Sequence, residues 1–162
     1  MGIPGVTICL VKEDFLIDTD NPKYLNLKQL TKSKSVLNTP PTLSIYVLNL
    51  ITHWMIEQGG IEYFQSKSEN QSKKMYDFID NNSEILNCNV DLKFRSKSNI
   101  VFNFLKDYQN IEFVDHAKEN GIIGINGHRS VGGIRVSLFN SVDDDMFEYF
   151  MKFFKKYISE SK

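Results

Sequence analysis

Residues 127–135 read Gly-His-Arg-Ser-Val-Gly-Gly-Ile-Arg, so His128, Arg129 and Arg135 fall within nine positions that also hold Gly127, Gly132 and Gly133. An imidazole and two guanidinium groups on glycine-rich backbone suit an anion. Glycine lets the main chain bend tightly and come close to a ligand, and arginine offers a planar fork that matches a carboxylate. Spacing alone favours a plainer reading, in which Arg129 and Arg135 are surface charges and His128 caps a turn. Asn38 and Thr39, in Asn38-Thr39-Pro40-Pro41-Thr42, read on their own as turn chemistry ahead of a helix.

The basic cluster is local. Nineteen Lys and Arg face 20 Asp and Glu, a net charge of −1, which leaves no electrostatic footprint for nucleic acid or an anionic membrane. The sequence of 162 residues is 41% hydrophobic with twelve Phe and seven Tyr, enough for a packed core. Cys9 and Cys88 lie far apart without metal-ligand spacing and read as small buried residues in a reducing compartment. No metal site is expected. Met1-Gly2-Ile3-Pro4-Gly5 has no signal-peptide pattern, and the most apolar run, residues 43–56, is too short for a membrane span. These features predict a cytoplasmic protein.

The elements that must carry the cluster follow from periodicity. Residues 5–11 (GVTICLV) predict a buried strand, and Thr42 is a candidate N-cap for a helix over 43–58 that Gly59-Gly60 ends. That helix is apolar nearly all round and needs cover on several sides, some of it from another subunit. A polar amphipathic helix spans about 61–79. Beyond it, residues 84–90 and 98–104 predict strands, 108–119 a helix, 121–127 a short strand, 133–139 a strand and 144–158 a closing helix. On strand 133–139 the residues Ile134, Val136 and Leu138 would face inward and Arg135, Ser137 and Phe139 outward. Strands and helices intermixed over 80 residues imply a two-layer α/β domain.

Taken together, GHRSVGGIRVSLFN (127–140), SVLNTPPTLSIYVLNLITHWMIEQGG (35–60), RSKSNIVFNF (95–104) and FVDHAKENGIIGINGHR (113–129) resemble, in order and spacing, the phosphoserine aminotransferase family, pyridoxal-phosphate enzymes of the class V aminotransferases. GIPGVTICLVKEDFL (2–16) is similar to that family's strand just after its cofactor lysine. The resemblance implies an α/β, class V aminotransferase-like fold. Residues 1–60 would be a remnant of the large domain with an interface helix, 61–81 a linking helix, and 82–162 the small C-terminal domain. It implies transfer of an amino group between glutamate and 3-phosphohydroxypyruvate, giving phosphoserine in serine biosynthesis. Arg135 would grip the substrate α-carboxylate, and His128 and Arg129 the distal phosphate or the glutamate side-chain carboxylate. Asn38 and Thr39 would contact the phosphate of pyridoxal phosphate in a neighbouring subunit of a dimer.

No residue of this sequence corresponds to the family's cofactor lysine, its pyridine-pairing aspartate, its stacking aromatic or its glycine-containing phosphate turn, and Phe139 stands where tyrosine is usual. The expectation is the C-terminal part of such an enzyme, inactive alone, partnered by a second copy or by a complementary N-terminal part. A fragment, a shortened gene and a second chain supplying the rest all stand open. The alternative is a non-catalytic binding or interaction domain that retains the small-domain fold.

Overall fold

The computed structural model describes residues 2–161 and divides between Gly60 and Ile61 into two compact units. In the first, short helix α1 (Leu27–Lys32) starts where the Asn26 side chain accepts the Gln29 N–H at 3.1 Å. Helix α2 (Thr42–Glu57) follows the two prolines. Its N-cap is Pro41, not Thr42. The proline ring presets φ at −74° and has no N–H to leave unsatisfied, so the helix begins one residue early, and the Thr42 hydroxyl donates to the Pro40 carbonyl at 3.3 Å.

One face of α2 is covered from within the unit. Ser44 Oγ donates to the Pro4 carbonyl at 2.9 Å, Val47 and Ile51 close on Gly2, and Leu48 shares a hollow with Ile3, Val6 and Ile8. Leu43, Tyr46 and Leu50, three and four residues apart on another face, stay exposed at 66%, 59% and 50%. Residues 5–11 correct the sequence reading, because they form no strand and are almost wholly exposed. A strand exists only where its N–H and C=O groups find a neighbouring strand, and none of the described residues of this unit supplies one. Cys9 in that segment is exposed and Cys88 half-buried, so neither thiol is the buried apolar residue expected.

The second unit is a sheet covered on one face by helices. Helix α3 (Gly60–Asp80) buries Phe64, Gln71, Ser72, Met75, Tyr76 and Ile79, a single stripe at helical spacing. It stops where the Asn82 amide donates to the Phe78 carbonyl at 2.8 Å. Strands β1 (Leu86–Asn87), β2 (Asn99–Phe104), β3 (Asn126–His128) and β4 (Gly132–Ser137) form a sheet in the order β1-β2-β4-β3, all antiparallel. Helix α4 (Asp107–Glu119) buries Phe113 and Ala117. Helix α5 (Asp144–Glu160), capped by Asp143 accepting the Met146 N–H at 2.7 Å, buries Phe147, Phe150, Met151, Phe154 and Ile158.

Residues Ile100, Phe102, Phe104, Ile134, Val136 and Leu138 alternate onto the helix side of the sheet and are buried. The rings of Phe102, Phe113 and Phe154 meet there at centroid distances of 5.1–6.3 Å. Each such side chain removed from water contributes about 1.5–3 kcal/mol, so this cluster holds the strand register that positions Arg135. On the other face Asn99, Asn103, Arg135 and Ser137 are half-buried and Val101 is exposed. The expected strand over 121–127 is shorter, with pairing only from Asn126.

Candidate functional site

The stretch 127–135 is a hairpin. Arg129, Ser130 and Val131 form a three-residue loop between β3 and β4, closed by the Val131 N–H on the His128 carbonyl at 2.9 Å, with His128 opposite Gly132. Gly132 takes φ +75° as the loop returns to the strand, the left-handed residue such a loop requires. Gly133 follows at φ +72°, and a Cβ there would overlap the Asn103 side chain and sit 3.0 Å from the Phe102 carbonyl. Glycine at 133 therefore lets β4 lie against β2 with Asn103 folded across it.

The hairpin and α4 enclose a cleft of about 420 Å³ lined by Asn110, Ile111, Asn126, His128, Arg129 and the adjoining glycines. His128 and Arg129 are both exposed. The imidazole is held from its Nδ1 side: Ser130 N–H donates to it at 3.3 Å, and Ser130 Oγ lies 2.6 Å away. His128 thus does cap its own turn, as the plainer reading has it, and it lines the cleft as well.

Arg135 does not line this cleft. It sits on β4 opposite Val101, on the face away from Ile134 and Val136. The structure brings His128 and Arg129 together and holds Arg135 apart from them. Its Nε is buried and has no hydrogen-bond partner among the described residues, a condition that costs about 1–3 kcal/mol.

The three arginines of the sequence divide sharply. Arg95 is fully engaged, with its two Nη atoms on the Asp80 carboxylate at 2.6 and 2.8 Å and its guanidinium 4.6 Å over the Tyr76 ring. That hydrogen bond holds the Asp80 carboxyl below the ordinary carboxylate range, and burial pushes the Tyr76 phenol up to about 12. Arg129 and Arg135 have no ion-pair partner among the described residues. An unpaired arginine beside a concave surface is free to take an anion. One already clamped by a carboxylate is structural.

Asn38 and Thr39 lie in the first unit, exposed, on a hollow of about 320 Å³ shared with Gly5, Tyr24, Ser35 and Ile45. A roomier groove of about 660 Å³, lined by Ile122, Ile123, Val142, Met146, Tyr149 and Phe150 among others, is apolar and holds none of the candidate residues. No cluster of His, Cys, Asp and Glu among the described residues suits a metal ion, and no helix among them is long and apolar enough to cross a membrane. Sequence reasoning missed Asn110. It stands 18 positions before His128, and only the packing of α4 through Phe113 and Ala117 brings it to the cleft.

A family model described as Aminotransferase class-V matches residues 1–150. The phosphoserine aminotransferase of Bacillus cereus is 35% identical over 164 residues, covering 100% of this chain and 45% of its own length. Among solved structures, phosphoserine aminotransferase from Bacillus circulans subsp. alkalophilus superposes with a TM-score of 0.88 at 32% identity, over 94% of this chain and 43% of that one. The pyridoxal-phosphate-bound phosphoserine aminotransferase of Trichomonas vaginalis gives 0.77 at 26% identity, over 86% and 40%. The chain spans a little under half the length of the relatives it matches.

Proposed function

Because the chain belongs to the class V aminotransferases, we propose that it is the C-terminal part of a phosphoserine aminotransferase, moving an amino group between glutamate and 3-phosphohydroxypyruvate in serine biosynthesis in the cytoplasm. Its contribution is substrate binding. The substrate carries a carboxylate at one end and a phosphate at the other, and so calls for two separate cationic stations. Arg135 receives the α-carboxylate through its guanidinium fork. His128 and Arg129 receive the phosphate, or the side-chain carboxylate when glutamate is bound. The observation that carries this reading is that Arg129 and Arg135, unlike Arg95, have no side-chain partner among the described residues, Arg135 to the point of an orphaned Nε.

Asn38 and Thr39 fit one end of the cofactor. Their amide N–H and hydroxyl are neutral donors for a phosphate oxygen, and neither makes a side-chain hydrogen bond within the described residues. Among the described residues lining that hollow there is no lysine and no carboxylate, so they do not suit the pyridine ring. When bound in such an enzyme, pyridoxal phosphate supplies the electron sink that lets an amino group leave one carbon skeleton for another. By the family resemblance the lysine that carries it is not among these 162 residues, so a polypeptide of this sequence alone turns over no substrate. A polypeptide bearing the matching large-domain segment supplies the lysine, and a second copy of this chain brings only Asn38 and Thr39 across a dimer.

The test titrates the 162-residue chain with inorganic phosphate and with acetate, following amide resonances of 126–136. A charge-assisted contact is worth about 1.5–3 kcal/mol, so half-built stations bind at roughly millimolar level. Arg129→Ala should weaken phosphate binding about tenfold and spare acetate, and Arg135→Ala the reverse. Equal losses for both anions in both variants would overturn the assignment. Borohydride reduction with pyridoxal phosphate should label no dominant lysine. One that did, accompanied by turnover, would refute the inactivity of the isolated chain.

A further inference from the structure

An amide and an imidazole each offer a donor on one side and an acceptor on the other. The cleft between α4 and the β3–β4 hairpin is lined by the amides of Asn110 and Asn126 and the imidazole of His128, and Asn110 and His128 have the acceptor side taken by a backbone N–H. Phe104 N–H donates to Asn110 Oδ1 at 3.0 Å. Ser130 N–H donates to His128 Nδ1 at 3.3 Å, with the Ser130 hydroxyl 2.6 Å from the same nitrogen.

A backbone N–H can only donate. Turning the Asn110 amide over would set its NH2 against the Phe104 N–H, and moving the neutral-ring proton to Nδ1 would set it against the Ser130 N–H. Turning the amide loses its hydrogen bond outright, and moving the ring proton loses the backbone one and leaves only the Ser130 hydroxyl to accept. What remains for a ligand is therefore N–H from both groups: Asn110 Nδ2 and His128 Nε2. Arg129, on the same wall, is donor only.

We infer that the cleft presents three fixed donors to a fully ionised phosphoryl group, with Asn110 as a third ligand beside His128 and Arg129, and with Ser130 as the positioning residue that fixes the His128 tautomer. The inference rests on the reading that His128 and Arg129 hold the substrate phosphate. It adds a residue from a separate helix and a reason for phosphate over groups that carry their own hydrogen. A phosphoryl dianion has three terminal oxygens, all acceptors. A hydroxyl or ammonium brought to Asn110, His128 and Arg129 would find no acceptor among these three.

Two measurements on the 162-residue chain test this. With ¹⁵N-labelled histidine, at a pH where the rings are neutral, the two nitrogen shifts report which one is protonated. The expected result is His128 as the Nε2–H form in the free chain, a weakened preference in Ser130→Ala, and its recovery in Ser130→Thr. In the second, inorganic phosphate is titrated into Asn110→Asp. This variant keeps an oxygen for the Phe104 N–H, so the fold is retained, and it replaces the NH2 by a second oxygen. Phosphate should bind at least about tenfold more weakly, matching the loss in Arg129→Ala. A dominant Nδ1–H tautomer, or an Asn110→Asp chain that binds phosphate as well as wild type while Arg129→Ala does not, overturns the inference and leaves the two-station reading intact. A wild-type chain that binds no phosphate overturns both.

Discussion

Gly133→Ala should be among the most damaging single-methyl additions in the second unit, and the cost can be divided in advance. The backbone at 133 sits at φ +72°, a region that costs an L-residue about 1–2 kcal/mol. The new Cβ would also lie 2.9 Å from Asn103 Cγ, closer still to Oδ1, and 3.0 Å from the Phe102 carbonyl oxygen. Asn103 is half-buried and can swing aside. The carbonyl belongs to β2, paired with β4 through Phe102 and Ile134, and cannot. Overpacking of this kind adds about 1–3 kcal/mol, so the total is about 2–5 kcal/mol. The assay is urea unfolding of the second unit's transition, read as a shift in midpoint at unchanged slope. Adding Asn103→Ala to Gly133→Ala should recover only the part owed to the side chain, about 1 kcal/mol, leaving the dihedral and carbonyl parts in place. If Gly133→Ala alone shifts stability by less than about 0.5 kcal/mol, or if Asn103→Ala restores it fully, the account of why glycine is needed at 133 is wrong.

Two further outcomes follow from other parts of the chain. The face of α2 bearing Leu43, Tyr46 and Leu50 is exposed within its own unit, and burying three such side chains would contribute several times about 1.5–3 kcal/mol. The chain should therefore self-associate, and Tyr46→Lys with Leu50→Glu should abolish this in light scattering without unfolding it; a wild type that stays monomeric at high concentration refutes the prediction. The Asp80 carboxyl, lowered chiefly by its hydrogen bond to Arg95, should contribute stability that is complete above the unfolded carboxylate value of about 4 and lost as pH falls through its lower folded value. Since Asp80 is about half exposed, the effect stays below about 1 kcal/mol, and the urea midpoints of wild type and Asp80→Asn should converge on acidification; a gap that widens instead refutes the linkage.

Much of the second unit was legible in the residues. Phe147, Phe150, Met151, Phe154 and Ile158 announce α5 by their spacing, and alternation along 133–139 assigns Arg135 to the face away from the core, where it lies. What local pattern could not supply was partnership. Residues 5–11 have strand composition, yet strand formation depends on a neighbour, and the first unit offers none among its described residues. Thr42 has the right chemistry for a cap, but Pro41 enters the helix before it. Spacing alone made one basic cluster of His128, Arg129 and Arg135, and only the resemblance gave Arg135 a different anion from the other two. The hairpin loop and the strand that follows separate the cleft from Arg135, and neighbours in sequence become different surfaces. Asn110 was invisible for the opposite reason, because only tertiary packing makes it a neighbour of His128.

The orphaned Nε of Arg135 bears on how such a chain changes over generations. In the absence of a ligand, methionine or leucine at 135 would keep the apolar stem, remove an unsatisfied donor and leave the unit about 1–3 kcal/mol more stable. A lineage that used this fold only as a scaffold would gain from that exchange at once and lose nothing by it. Under the proposed carboxylate role, Arg135 is the position where selection for folding and selection for binding pull in opposite directions, and the first to drift once the anion no longer matters. A sister sequence that keeps the core and carries an aliphatic residue at 135 would mark the branch on which the binding role was given up.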